Sequence, residues 1–245
     1  MTSLISRDHV VPASADRSLI LISESAPQYL SQLHSKTPLK VIAIGDSFVY
    51  GYGDFVGGGW VERLRRQWMS PETDERVLYN LGVRGDRVVN VAQRLATEFN
   101  RRGELRHQVP DAILLSVGIN DSPRLRKPDG RLFTDFAEFK QQLAILLDLA
   151  TSLAPVFFVG MTPVDELKMP FYNCLYYNHL DQYRYKEATL QACQERQIPY
   201  LDLFDLWLSR GETWLRSQYG KDGLHPNVQG YENLFQDIST WDAIC

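Results

Sequence analysis

Five short, continuous apolar runs punctuate the chain, and between them apolar residues recur every three or four positions. The runs are Leu39 to Ile44, Arg76 to Gly82, Asp111 to Gly118, Pro155 to Gly160 and Tyr200 to Leu203. Runs of this length bounded by glycine read as buried strands. The stretches between them read as helices. Trp60, Leu64 and Trp68 form one stripe, closed by Pro71. Val88, Val91, Ala92, Leu95, Ala96 and Phe99 follow a 3.6-residue period, with Asp86 placed to cap that helix. Thr134 is placed to cap a longer one, carrying Phe136, Phe139, Leu143, Leu146 and Leu147 on one face. A less regular helix is expected from about 176 to 196, shorter ones around Leu206 and Trp214, and a last one from about 227 to 238.

Strands alternating with helices, each strand apolar throughout, predict a parallel sheet between two helical layers. Right-handed crossovers leave few topologies for five strands. The expected fold is therefore an α/β, three-layer αβα flavodoxin-like sandwich with strand order 2-1-3-4-5 and its switch point between strands 1 and 3. Ser47 after strand 1, Gly82 ending strand 2 and Asn120 after strand 3 would then open onto one crevice. Residues 1–37 precede the first strand and are expected to form a peripheral arm, packed on the domain or on a neighbouring subunit.

Composition narrows the function without naming it. The net charge of -4 provides no basic excess for nucleic acid or anionic membrane. The run Arg63, Arg65, Arg66 reads as the solvated face of a helix. The 3 cysteines, Cys174, Cys193 and Cys245, make neither a disulfide framework nor a zinc site. With a polar amino terminus and no apolar run of transmembrane length, a cytoplasmic protein without stable membrane association is expected.

Ser47 ends the sequence Gly45-Asp46-Ser47, at the carboxyl end of strand 1, where open α/β sheets place their chemistry. A serine attacks only when a base takes its proton. Of the 5 histidines, His9 and His34 lie in the arm, His107 lies at the amino edge of the sheet and His179 lies on a helix. His225 alone stands on the carboxyl side after the last strand, with Pro226 placed to open the final helix. Asp222, three residues earlier across Gly223, can reach the imidazole nitrogen facing away from the serine. The developing oxyanion needs donors, and the backbone N–H groups of Gly82 and Ser47 and the Asn120 side-chain amide can supply them. Taken singly, Gly82 has an ordinary reading as a strand-ending glycine and Asn120 as a turn residue.

In order along the chain stand Gly45-Asp46-Ser47, Asn80-Leu81-Gly82, Gly118-Ile119-Asn120-Asp121 and Asp222-Gly223-Leu224-His225. Together they resemble the four blocks of the SGNH hydrolases, also called the GDSL lipase/esterase family. The resemblance covers Leu39 to the carboxyl terminus, with Phe48 in place of the usual leucine or isoleucine. It makes residues 38–245 the catalytic domain and identifies Ser47, Gly82, Asn120 and His225 as the signature residues, with Asp222 as the acid. It implies hydrolysis of a carboxylic ester or thioester through an acyl-enzyme, on a small-molecule substrate and without a metal or organic cofactor. Acyl transfer on the same site, or a catalytically silent binding protein, are the alternatives. Asp46 and Asp121 are expected to brace loops. Phe48, Tyr50, Tyr52 and Phe55, with Pro170, Phe171 and Tyr172, are expected to line an acyl pocket suited to a small, soluble ester. The G-x-S-x-G elbow is absent around Ser47, and no glycine cluster gives a P-loop or G-x-G-x-x-G. Oligomeric state is left open.

Overall fold

The structure, a computed structural model, describes residues 29–33, 38–71, 76–102 and 108–245. Its centre is a five-stranded parallel sheet. The strands are β1 (Leu39–Gly45), β2 (Arg76–Gly82), β3 (Ala112–Ser116), β4 (Val156–Val159) and β5 (Tyr200–Leu201), in the order β2-β1-β3-β4-β5. This is the expected topology. The strand pattern follows position in the sheet. In β1, β3 and β4 nearly every residue is buried, because helices cover both faces. At the edge, β2 buries only some of its residues.

Eight helices complete the described fold: α1 (Ser47–Tyr50), α2 (Gly59–Trp68), α3 (Val88–Asn100), α4 (Phe136–Leu153), α5 (His179–Glu195), α6 (Leu203–Ser209), α7 (Glu212–Ser217) and α8 (Val228–Ser239). The chain winds from β1 out to β2, then back across to β3, so right-handed crossovers put α2 on one face and α3 to α5 on the other. Accordingly α2 packs on α8, while α3, α4 and α5 pack in a row. A two-stranded antiparallel ribbon, Arg124–Leu125 with Leu175–Tyr176, ties the loop after β3 to the loop after β4. Nothing in the apolar pattern marks so short a pair.

Three helix starts differ from expectation. Asp86 does not cap α3. Its carboxylate bonds the Arg94 guanidinium instead, and the first turn is held by Asn90 Oδ1, which accepts the Arg87 N–H, and by Asp121 Oδ2, which accepts the Val88 N–H. For α4, Asp135 and not Thr134 is the cap, accepting from Ala137 and Glu138. The last helix begins after Pro226, at Val228, with Asn227 accepting the Gly230 N–H.

Of the expected arm, the described part is a single 3₁₀ turn, Leu30–Gln32. Leu30 is fully buried, and its N–H donates to the Ala243 carbonyl at 2.7 Å. The remainder of the arm, together with His9, His34 and His107, lies outside the described residues. No helix among the described residues is long and apolar enough to cross a membrane.

Candidate active site

Three loops at the carboxyl edge of the sheet converge. The first is the turn out of β1. Asp46 caps α1, its Oδ1 accepting the Phe48 N–H at 2.9 Å, and Ser47 becomes the first residue of that one-turn helix. A side chain at Gly45 would put its Cβ 1.8 Å from the Ser116 carbonyl oxygen, so the strand can pass that close to β3 only with glycine there. No protein acceptor meets the Ser47 N–H among the described residues.

The second loop follows α7. Asp222, Gly223 (φ 70°) and Leu224 form a tight turn, in which Asp222 Oδ1 accepts the N–H groups of Leu224 and His225. Its other oxygen, Oδ2, lies 2.7 Å from His225 Nδ1, and His225 Nε2 lies 2.9 Å from Ser47 Oγ. Burial pushes the Asp222 carboxyl up, but the hydrogen bonds from the His225 ring and backbone outweigh it and hold the group below its ordinary value. The imidazole is 5 % exposed and walled by aromatic rings. Tyr52 meets it edge-on at 4.6 Å, Phe171 at 5.7 Å and Phe48 at 5.9 Å between ring centres.

The third loop carries Asn120, in a 3₁₀ turn after β3. Its Nδ2 donates to the Asp86 carbonyl at 2.9 Å and its Oδ1 accepts from the Tyr177 hydroxyl at 3.4 Å. These two partners fix which way the amide faces and leave one N–H of Nδ2 unused.

Gly82 is not placed as an oxyanion donor. Successive N–H groups of a strand point to opposite edges. That of Val83 goes to the Gly45 carbonyl at 2.9 Å, so that of Gly82 faces away from β1 and donates to Asn80 Oδ1 at 3.0 Å. The nearby free backbone donor is Gly85, three residues on. It sits at φ 81° in the turn Val83–Asp86, exposed, and its N–H meets no protein acceptor among the described residues. Its neighbours bracket the site: Arg84 lies over the Tyr52 ring, and the Asp86 carbonyl holds Asn120. The Gly-Asp pair after a strand end was the available signal for this turn.

The expected pocket residues separate. Tyr52 and Phe171 meet the imidazole, and Tyr172 packs tilted against Phe171 with 4.2 Å between ring centres. Phe48 is buried in the core cluster, its ring 5.9 Å from the imidazole between centres. Tyr50 is 54 % exposed on α1, its backbone against Gly82, and Phe55 is 91 % exposed. His179 opens α5, where its Nε2 lies 2.7 Å from the Val164 carbonyl oxygen, and takes no part in this arrangement.

Asp46 and Asp121 act as braces. Asp121 bonds the Val88 N–H and the Thr134 hydroxyl, and burial pushes its carboxyl up to about 6. Burial pushes Asp46 up to about 7, with the charges of Asp121 and Asp86 adding to it. The folded state therefore binds more protons than the unfolded chain between 3.8 and about 7, and the Asp46 contribution to stability falls as pH rises through that window. Asp46→Asn keeps the Oδ1 acceptor for Phe48 and removes the charge. We expect it to flatten the stability–pH profile over this range and to be on the order of 2 kcal/mol more stable at pH 8. Urea unfolding of both proteins at pH 5 and pH 8 checks this; parallel profiles would refute it.

Comparisons with known proteins agree with this architecture. A family model described as the GDSL-like lipase/acylhydrolase family matches residues 43–232. Among solved structures, a lipase/acylhydrolase from Enterococcus faecalis is similar with a TM-score of 0.66 and 21% identity, covering 82% of this chain and 93% of that one. A psychrotrophic esterase from Pseudoalteromonas sp. has a TM-score of 0.60 and 17% identity over 82% of this chain and 94% of its own. An acetylxylan esterase from Geobacillus stearothermophilus, in a catalytic mutant form, has a TM-score of 0.61 and 15% identity over 86% and 98%. No curated protein matches the chain in sequence.

Proposed function

Because the chain belongs to the GDSL-like lipase/acylhydrolase family and is thus a hydrolase acting on esters, we propose that Ser47, His225 and Asp222 form its catalytic triad and that turnover runs through an acyl-enzyme. The observation that carries this reading is the continuous hydrogen-bonded line from Ser47 Oγ through the imidazole to the Asp222 carboxylate, at 2.9 and 2.7 Å.

In this mechanism His225 Nε2 takes the Ser47 proton as Oγ attacks the ester carbonyl. Asp222 keeps the other imidazole proton on Nδ1 and stabilises the imidazolium. The ester oxygen becomes negative and is met by donors already in place: the N–H of Ser47, the N–H of Gly85 and the free N–H of Asn120. His225 then returns its proton to the leaving alcohol or thiol. Water repeats the sequence in reverse and frees the acid. The substrate is a small-molecule carboxylic ester or thioester, and the acyl or alcohol part adjoining the imidazole contacts Tyr52 and Phe171.

The test is a series of p-nitrophenyl esters of increasing acyl length, combined with labelling by a fluorophosphonate probe. Turnover with stoichiometric labelling at Ser47 is expected, and the length profile sizes the acyl site. A fully folded protein that neither turns over the esters nor takes the label would refute the reading. Asn120→Ala is expected to lower kcat by about 10²–10³-fold with little change in KM, because the amide acts on charge that exists only in the transition state. A loss expressed only as a higher KM, with kcat unchanged, would remove Asn120 from the oxyanion site.

A further inference from the structure

Arg84 sits in the turn Val83–Asp86, one residue before Gly85. Its guanidinium carbon lies 3.7 Å from the centre of the Tyr52 ring, and that ring is 4.6 Å from the His225 imidazole. The positive charge is therefore held within about 8 Å of the imidazole centre by a fixed aromatic platform. The side chain is exposed, and among the described residues no carboxylate pairs with it. The carboxylates around the site are engaged elsewhere: Asp54 with Arg63, Asp86 with Arg94, and Asp222 with His225.

A guanidinium seated over a ring keeps N–H groups that do not face the ring free to grip an anion. Preorganisation over the ring also lowers the ordering cost of that contact. The chain as a whole is negative, at -4, so its bulk field does not attract an anion and the charge acts locally at the mouth of the site.

We propose that Arg84 is a specificity-determining residue that selects esters carrying an anionic group close to the scissile bond, on either the acyl or the alcohol part. The proposal rests on Ser47 being the nucleophile.

Two matched pairs test it. 4-Nitrophenyl hemisuccinate against 4-nitrophenyl butyrate puts the charge on the acyl side. 4-Acetoxybenzoate against phenyl acetate puts it on the alcohol side. For each pair the charged-to-neutral ratio of kcat/KM is measured in wild type, Arg84→Gln, Arg84→Lys and Arg84→Glu, so that intrinsic reactivity cancels between proteins. In at least one pair the ratio is expected to fall about tenfold in Arg84→Gln, the scale of an exposed charged hydrogen bond. It should fall further in Arg84→Glu, be largely retained in Arg84→Lys, and shrink in wild type at high salt. Arg101→Gln, the same charge change at the far end of α3, should leave the ratio unmoved.

A merely structural brace on Tyr52 would slow both members of a pair equally. Ratios that stay within twofold across the Arg84 variants in both pairs overturn the proposal. Ser47→Ala is run on the neutral esters alongside. If that variant is inactive while the ratios do not respond to Arg84, only the specificity assignment falls. If it remains active, or if wild type neither turns over any of the four esters nor takes the fluorophosphonate label, the nucleophile reading falls and the specificity assignment falls with it; wild type that takes the label but turns over none of the four overturns the specificity assignment alone.

Discussion

Replacing Ser47 with alanine is expected to lower kcat by roughly 10⁴–10⁶-fold, and His225→Ala by a similar factor. Each removes a different part of one unit. Without Oγ there is no nucleophile to acylate, and without the imidazole nothing takes the proton at 2.9 Å. The double variant should therefore be little slower than either single one, because once the unit is broken the residual rate comes from substrate binding and the oxyanion donors alone. Asp222→Asn is expected to cost less, about 10⁴-fold at most. The imidazole would remain beside the serine but lose the carboxylate that fixes its tautomer. That carboxylate also accepts two backbone N–H groups in its own turn. An asparagine oxygen can still take these, so the loop should survive the change. Stopped or initial-rate assays on the best ester of the series, with circular dichroism to confirm folding, measure the three factors. Additive losses in the double variant would contradict a coupled triad, and a Ser47→Ala enzyme retaining full activity would remove the serine from the chemistry altogether.

What was legible in the sequence was what burial enforces. β1, β3 and β4 are covered on both faces, so their residues are apolar without interruption, and that pattern located them almost to the residue. From the strand order follow the carboxyl edge and the meeting of Ser47 with the Asp222–His225 turn. Helix α5 was read less cleanly for an equally physical reason. Its inner face buries Asp181, Gln182, Lys186 and Thr189. Asp181 pairs with Arg124, and Lys186 with Asp202 and Asp205. A helix whose buried stripe is polar shows little hydrophobic periodicity, because ion pairs replace apolar contacts there. The caps are not legible because several capping residues crowd each start, and tertiary partners decide among them. Asp86 was claimed by Arg94 and Thr134 by Asp121. The oxyanion assignment turned on the direction of a backbone N–H, which alternates along a strand and depends on which edge is paired. The residue types of Asn80-Leu81-Gly82 do not contain that information; the ladder between β1 and β2 does.

Gly82 nevertheless has a strict requirement, and changing it has the second large expected effect. A Cβ there would lie 2.1 Å from Tyr50 N and 2.6 Å from Tyr50 Cα, both backbone atoms of the helix that carries Ser47. No rotamer change relieves a clash between two main chains, so either α1 or the end of β2 must move. α1 is fixed from several sides: Asp46 caps it, and the N–H groups of Gly51 and Tyr52 both donate to the Ser47 carbonyl at 3.0 Å. Gly82→Ala is thus expected to destabilise the fold by roughly 3 kcal/mol or more, about 6–12 °C in Tm for a chain of this size. What survives should also have poor turnover, since displacing α1 moves Oγ away from the imidazole. Gly85→Ala is the informative partner. Nothing lies within 4 Å of a Cβ at that position, so its cost is only the left-handed φ of 81°, about 1–2 kcal/mol, and it keeps the backbone N–H proposed for the oxyanion. A thermal melt and a rate for each variant separate the two glycines: one is required for close passage of backbone, the other stands in open space beside the proposed oxyanion site. A Gly82→Ala protein that melts with wild type would mean that the nucleophile turn does not lean on the end of β2. The mutual placement of Ser47 and the Gly85 turn would then need another explanation.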